Sequence, residues 1–317
     1  MSKGPIIIGS ERSEAGFPAA MAILSQGGSA LDAVEIALRA CEDNLADHYV
    51  GTGGLPNARG EVELDASVMI GSTRAFGAVG AVKYYPNPIS IARAVLEKLP
   101  QHNMLVGEGA ELFAKEQGFE QAELLTEDAK KLFREALLPS RESVEGEMTL
   151  GGSGDDLYRT TSIELVNRFL PHDGPWGTIN VIALDESGEM VVGVSTSGYP
   201  WKYPGRVGDS AIAGAGNYCD LRYGGAACTG RGEMSMRVVG AREVVESLAR
   251  GVDPEEACLA MLADAATLSD AYRTELRTLC LTPDGRHAAA AGQAGAYYSL
   301  MTPSSSAPEK LPRAILS

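Results

Sequence analysis

The chain has little of what many familiar functions require. Its five cysteines, Cys41, Cys219, Cys228, Cys258 and Cys280, are odd in number and include no C-x-x-C pair. Neither a disulfide framework nor a structural zinc site is indicated, and they read as small buried hydrophobes. The four histidines, His48, His102, His172 and His287, are scattered, with no serine or cysteine beside them in a triad-like arrangement. Positive charge is scarce: 27 Lys and Arg face 42 Asp and Glu, a formal net charge of −15, which disfavours a grip on nucleic acid or on an anionic membrane. No apolar run approaches the ~18 residues of a membrane span, and the N-terminal MSKGPIIIGS lacks the ~7–15-residue apolar core of a signal peptide. A cytoplasmic location is expected. Aromatic residues are 6% of the chain against 37 glycines, a composition suited to close Ala- and Gly-rich packing.

Two further absences concern ligands. Gly107-Glu108-Gly109 follows a short strand and opens a helix, but the third glycine of G-x-G-x-x-G would fall on Leu112 and no P-loop lysine follows, so it reads as a helix start. Asp43, Asp47 and His48 have a spacing that could hold a metal, yet they sit on a polar loop, where such groups are usually solvated. No metal and no cofactor is expected.

What is present is an α/β pattern over 317 residues, a length that allows one large domain. An apolar run at Pro5–Ile8 opens it, followed by helical patterns over Glu14–Ser25 and Ala30–Cys41, the second with Ser29 placed to cap it. Strands are expected over Glu61–Ile70 and Phe76–Lys83, a helix over Pro88–Leu99, then a short strand Met104–Val106 and a helix Glu108–Lys115. Residues Pro139–Thr160 are rich in Gly, Ser and acid, with no sustained apolar period, and read as a linker. After a brief helical stretch, Ser162–Phe169, the runs TINVIAL and EMVVGVST flank an acidic, glycine-containing turn and predict a hairpin. Helices near Arg242–Arg250 and Pro254–Leu268 and strands at Arg277–Thr282, Ala288–Ala291 and Ala296–Met301 follow; the tail Thr302–Pro312 reads as disordered. Strands with helices in each half favour a layered α/β sandwich over a repeat array.

The most informative stretch begins at Trp176 and runs through Gly177, Thr178, Thr196, the Gly205-Arg206-Val207-Gly208-Asp209 run and the Thr229-Gly230 pair. Together with GGSALDAVE (Gly27–Glu35), VGTGGLP (Val50–Pro56), ELDASVM (Glu63–Met69), NPISIARAV (Asn87–Val95) and LVGEGAELFA (Leu105–Ala114), it resembles the glycosylasparaginase and type 2 asparaginase (isoaspartyl peptidase) family of N-terminal nucleophile hydrolases. The similarity covers most of residues 5 to 300. It implies a four-layer αββα sandwich, self-cleaved between Gly177 and Thr178 into an α subunit of residues 1–177, with a flexible linker at about 139–177, and a β subunit of residues 178–317. It further implies Thr178 as nucleophile, Thr196 as its helper, Arg206 and Asp209 as the substrate clamp, Thr229 and Gly230 as the oxyanion pair, and a homodimer of αβ heterodimers.

Elementary chemistry agrees with these residue types. A threonine hydroxyl is a poor nucleophile, but an N-terminal threonine has its own α-amine, of reference pKa ~7.7–8, as a base within reach. No histidine is then needed, and an uncut precursor, whose amide nitrogen cannot take the proton, would be inactive. An Arg206 guanidinium suits an α-carboxylate and an Asp209 carboxylate suits an α-ammonium, which together describe the head of an aspartyl amide. The residues before Thr178 carry 15 basic and 26 acidic side chains and those from Thr178 onward 12 and 16, so the global field gives an anionic head little help and Arg206 must act locally.

Departures bear on the leaving group. In glycosylasparaginases a Trp near the N-terminus lines the pocket; Ser10 stands there, and Arg12 stands where an aromatic residue is common. His172-Asp173 lies four residues upstream of its usual place against the threonine, and Asn180 replaces a usual glycine. The V-G-T-G-G-x-P run favours the glycosylasparaginase branch, and hence N4-(β-N-acetylglucosaminyl)-L-asparagine as substrate, with free asparagine or β-aspartyl peptides as the alternative. A silent amino-acid-binding relative is the reading from outside the enzymes.

Overall fold

The computed structural model describes residues 4–137, 160–169, 177–270, 272 and 275–316. The linker expected at Pro139–Thr160, and Trp176, His172 and Asp173, lie outside them, apart from Thr160 itself. Two sheets organise the chain. Among the described residues the larger has eight strands and the smaller five. In the larger sheet β1 (Ile6–Ser10) lies between β11 (Tyr297–Met301) and β5 (Ile179–Leu184), antiparallel to both. The expected hairpin is β5 with β6 (Met190–Thr196), closed by Asp185, whose Oδ1 accepts from Glu189 N at 3.0 Å. Beyond β6 come β2 (Leu64–Ile70), β3 (Phe76–Val82) and β4 (Met104–Val106).

Period-2 alternation sorts the side chains of these strands to two faces. Ile6 and Ile8, with Ile182, Leu184, Val192 and Val194, pack against Ala227, Leu279, Leu281 and Ala289 of the smaller sheet. Ile7, Ile179, Val181 and Val191 face the other way and bury Phe17 and Leu24 of α1 (Phe17–Ser25), Val34 and Leu38 of α2 (Ala30–Glu42), and Ile89 and Val95 of α3 (Pro88–Lys98). Helix α4 (Gly107–Glu116) adds Phe113 to the same cluster. In the smaller sheet the outward residues of β8 (Gly224–Gly230), β9 (Leu276–Leu281) and β10 (His287–Ala291) meet α8 (Gly240–Ala249) and α9 (Pro254–Ala266) through Val244, Val245, Leu248, Met261 and Leu262. Strand β5 is covered on both faces, and all six of its residues are buried. All five cysteines are buried and free.

Several elements differ from the sequence-based expectation. The helical pattern from Glu14 is broken: Ser13–Ala15 is a 3-10 turn and α1 starts only at Phe17, the two separated by Gly16, where a Cβ would lie 2.2 Å from the Ala37 carbonyl. The tail is not disordered. Glu309–Pro312 forms β12 against β11, Ala314–Ile315 forms β13 beside β10, and between them Arg313, 4% exposed, donates to Glu11 and to the carbonyl of Thr278 at 2.8 Å. A charged side chain holds this segment where apolar periodicity is absent. Helices α5 (Glu127–Leu137) and α7 (Gly232–Val238) and strands β7 (Asn217–Asp220) and β8 were also not expected, whereas α6 (Ser162–Phe169) was. β8 reads GGAACTG because it runs close to the larger sheet, where a Cβ on Gly225 would lie 2.6 Å from the Val192 side chain.

Candidate active site

The candidate residues come from both sheets and one loop, and they meet in space. The β5–β6 register pairs Ile179 with Ser195, which sets Thr178 beside Thr196 at the open end of the hairpin. The eighteen-residue spacing is therefore the length of a hairpin, and Thr178 Oγ1 donates to Thr196 Oγ1 at 3.3 Å. Thr196 Oγ1 accepts from Gly198 N at 2.9 Å and donates to the Gly177 carbonyl at 3.4 Å, so one hydroxyl touches both sides of the Gly177–Thr178 bond.

From the smaller sheet, the end of β8 brings Thr229 across. Its Oγ1 accepts from Thr178 N at 3.1 Å and donates to Thr178 O at 3.3 Å. Gly230 follows at φ 110°, and a Cβ there would overlap the Glu275 carbonyl, so a side chain is excluded by both backbone and contact. Ser10, in place of the expected Trp, is buried: its Oγ donates to Thr178 O at 3.0 Å and accepts from Asn180 N at 2.9 Å. Asn180 Nδ2 in turn donates to Cys228 O at 3.0 Å, joining β5 to β8. The two departures thus brace the candidate nucleophile's backbone.

Arg206 and Asp209 arrive on the loop after β6, the latter opening a 3-10 turn, Asp209–Ala211. With Gly177, Thr178, Thr196, Tyr199, Ser210 and Gly230 they line a narrow cleft. Arg206 does not pair with Asp209. Its Nε and Nη2 donate to Glu233 Oε1, at 3.0 and 2.8 Å. Asp209 is buried, its Oδ2 has no hydrogen-bond partner, and burial raises its pKa to about 7 despite the nearby Arg206 charge. One oxygen of a buried carboxyl is thus left without a partner close to a guanidinium.

Sequence reasoning missed the groups that hold this loop. Glu63 accepts from Gly205 N at 3.0 Å, Asp65 Oδ2 from Gly208 N at 3.1 Å, and the buried Lys202 donates to Glu63 O at 3.0 Å, its pKa lowered by burial. Two acids inside the otherwise apolar run ELDASVM were the available signal. Glu233 was equally visible, three residues after Gly230. Among the described residues no group of three or more His, Cys, Asp or Glu is placed to hold a metal; Asp47 pairs with Arg12 and His48 Nδ1 lies 2.8 Å from Gly53 O. No helix among them is long and apolar enough to cross a membrane.

Fold and site define the class: a mixed α/β protein in which hydroxyl, carboxyl and guanidinium groups meet in one narrow cleft. Comparison narrows it. A family model described as Asparaginase matches residues 12–307. The chain is 41% identical over 236 residues to the N(4)-(Beta-N-acetylglucosaminyl)-L-asparaginase of Elizabethkingia miricola, covering 74% of this chain and 62% of that one. It is 35% identical over 265 residues to the mouse (Mus musculus) N(4)-(beta-N-acetylglucosaminyl)-L-asparaginase, with coverages of 80% and 75%. It is 36% identical over 238 residues to the Isoaspartyl peptidase/L-asparaginase of Xenopus laevis, with coverages of 74% and 68%. The chain belongs to the type 2 asparaginase family.

Proposed function

We propose that the protein is a self-processing threonine amidohydrolase that cleaves the side-chain amide of asparagine-type substrates, within a four-layer αββα arrangement. One observation carries the reading. The Thr178 hydroxyl bonds to Thr196 in a cleft that also holds the Arg206 guanidinium and the buried Asp209, whose Oδ2 has no partner. In the precursor, the hydroxyl attacks the Gly177 carbonyl, the C–N bond to Thr178 breaks, the freed amine keeps the proton, and water hydrolyses the ester. This yields subunits 1–177 and 178–317. Thr196, in contact with both Thr178 Oγ1 and Gly177 O, supports that step.

In the mature enzyme the Thr178 α-amine takes the hydroxyl proton as the oxygen attacks the substrate amide. Arg206 holds the α-carboxylate and Asp209 the α-ammonium. The Thr229 hydroxyl and the Gly230 N–H hold the developing oxyanion, an interaction whose loss typically costs ~3–4 kcal/mol of barrier. The acyl-enzyme is then hydrolysed to aspartate. Identity to the Elizabethkingia protein supports a glycosylamine as leaving group; Arg12, at Gly177, favours the amino acid of a β-aspartyl peptide as a second. The family resemblance supports a homodimer of αβ units. Product release from N4-(β-N-acetylglucosaminyl)-L-asparagine, asparagine and β-aspartyl dipeptides, ranked by kcat/KM, tests the assignment. No turnover of any of them by cleaved protein would refute it.

A further inference from the structure

Arg12 takes no part in the catalytic steps above, yet it lies against the bond to be cut. Its backbone is left-handed at φ 70°, its Nε is 3.1 Å from Asp47 Oδ2, and its guanidinium lies 4.3 Å over the Tyr49 ring. Asp47 Oδ1 also accepts from Tyr49 N at 2.9 Å, and Tyr49 O accepts from Ser197 N at 2.6 Å, which fastens the cluster to the residue after Thr196. The remaining Nη end reaches Gly177: a Cβ there would overlap Arg12 Nη2 and lie 3.1 Å from the Tyr49 ring. Gly177 lines the cleft with Arg206 and Asp209, whereas Arg12 does not; Gly177 stands between them.

We propose that Arg12 is a specificity-determining residue that binds a carboxylate on the leaving amine. The inference rests on cleavage before Thr178. Once that bond opens and Gly177 withdraws, the guanidinium borders the vacated space on one side of Thr178. A substrate held by its head at Arg206 and Asp209, with its carbonyl at the Thr178 hydroxyl, sends its leaving nitrogen toward that space. The amino acid released from a β-aspartyl peptide carries a carboxylate one carbon from that nitrogen, a fit for the planar Nη pair. Ammonia carries no such group, and a glycosylamine is uncharged there.

The test compares kcat/KM for β-aspartyl-leucine and β-aspartyl-leucinamide, which differ only in the carboxylate. Wild-type protein should favour the free acid about ten-fold or more, the fold-change expected from one charge-assisted hydrogen bond, and Arg12→Met should bring the ratio toward one. Because each ratio is taken within one preparation, slower maturation of the variant cancels, and a merely structural role for Arg12 would lower both substrates together. A wild-type ratio near one overturns the proposal even if Arg12→Met fails to fold, as does a ratio preserved in Arg12→Met. Wild-type chain that stays uncut and turns over neither substrate overturns the Thr178 reading, and the Arg12 proposal with it.

Discussion

Capture of the substrate head should depend on the protonation of Asp209 in a way that can be measured. Asp209 is buried, has no hydrogen-bond partner at Oδ2 and titrates at about 7. At pH 6 about nine in ten free enzyme molecules then carry a neutral Asp209, which gives an α-ammonium no counter-charge. The Thr178 α-amine, with a reference value of ~7.7–8, must also be unprotonated to act as base. Since kcat/KM reports groups of the free enzyme, its logarithm should rise with pH at a slope approaching two on the acid side and level off above about pH 8. Asp209→Asn removes one of the two titrations and a buried charge partner. Its acid limb should have a slope of one, and its plateau should fall by about 2–5 kcal/mol of transition-state binding. The assay is ammonia release from asparagine between pH 5 and 9, on protein whose cleaved fraction has been measured. A wild-type limb of slope one, superimposable on that of Asp209→Asn, would refute the assignment.

Other consequences follow from single contacts. Thr196→Val deletes the hydroxyl that touches Thr178 Oγ1 and Gly177 O and should slow precursor cleavage about a hundred-fold, with Thr196→Ser restoring it, as followed by gel densitometry. Arg206→Lys loses the two-pronged contact with Glu233 and should raise KM for asparagine roughly ten-fold or more, while self-cleavage proceeds; an unchanged KM would argue against the clamp. Glu42, buried and bonded to Ser195 Oγ at 2.6 Å, has its pKa raised by burial from 4.5 to about 8. The folded state holds that proton more tightly, so the stabilisation is complete below about pH 4.5 and is lost as pH rises through about 8, on the order of 4–5 kcal/mol. Thermal midpoints of wild-type protein should fall over that range more steeply than those of Glu42→Gln; parallel curves would contradict this.

The candidate site residues were named in the sequence through the family resemblance, and strand pattern accounts for how two of them come together. The eighteen residues from Thr178 to Thr196 span one hairpin, which the runs TINVIAL and EMVVGVST predicted and whose register the structure supplies. Arg206 and Asp209 were legible as types, but their partners were not: Arg206 folds onto Glu233, and Asp209 Oδ2 is left without a partner. Long-range closure is what periodicity does not encode. Ser10 reaches Thr178 from 168 residues away, and the C-terminal strands are anchored by Arg313 through Glu11, 302 residues earlier in the chain. Strand β8 escaped notice for a different reason. Its Gly and Ala residues suit a narrow space between layers, and small residues show no apolar alternation.

The central claim is that Thr178 becomes an N-terminus. Intact-mass analysis of the purified protein, with N-terminal sequencing of any fragments, tests it most directly. The account predicts two fragments, one beginning at Thr178, and a single uncut chain for Thr178→Ala. A wild-type chain that stays whole after prolonged incubation, yet releases ammonia from asparagine, would contradict it.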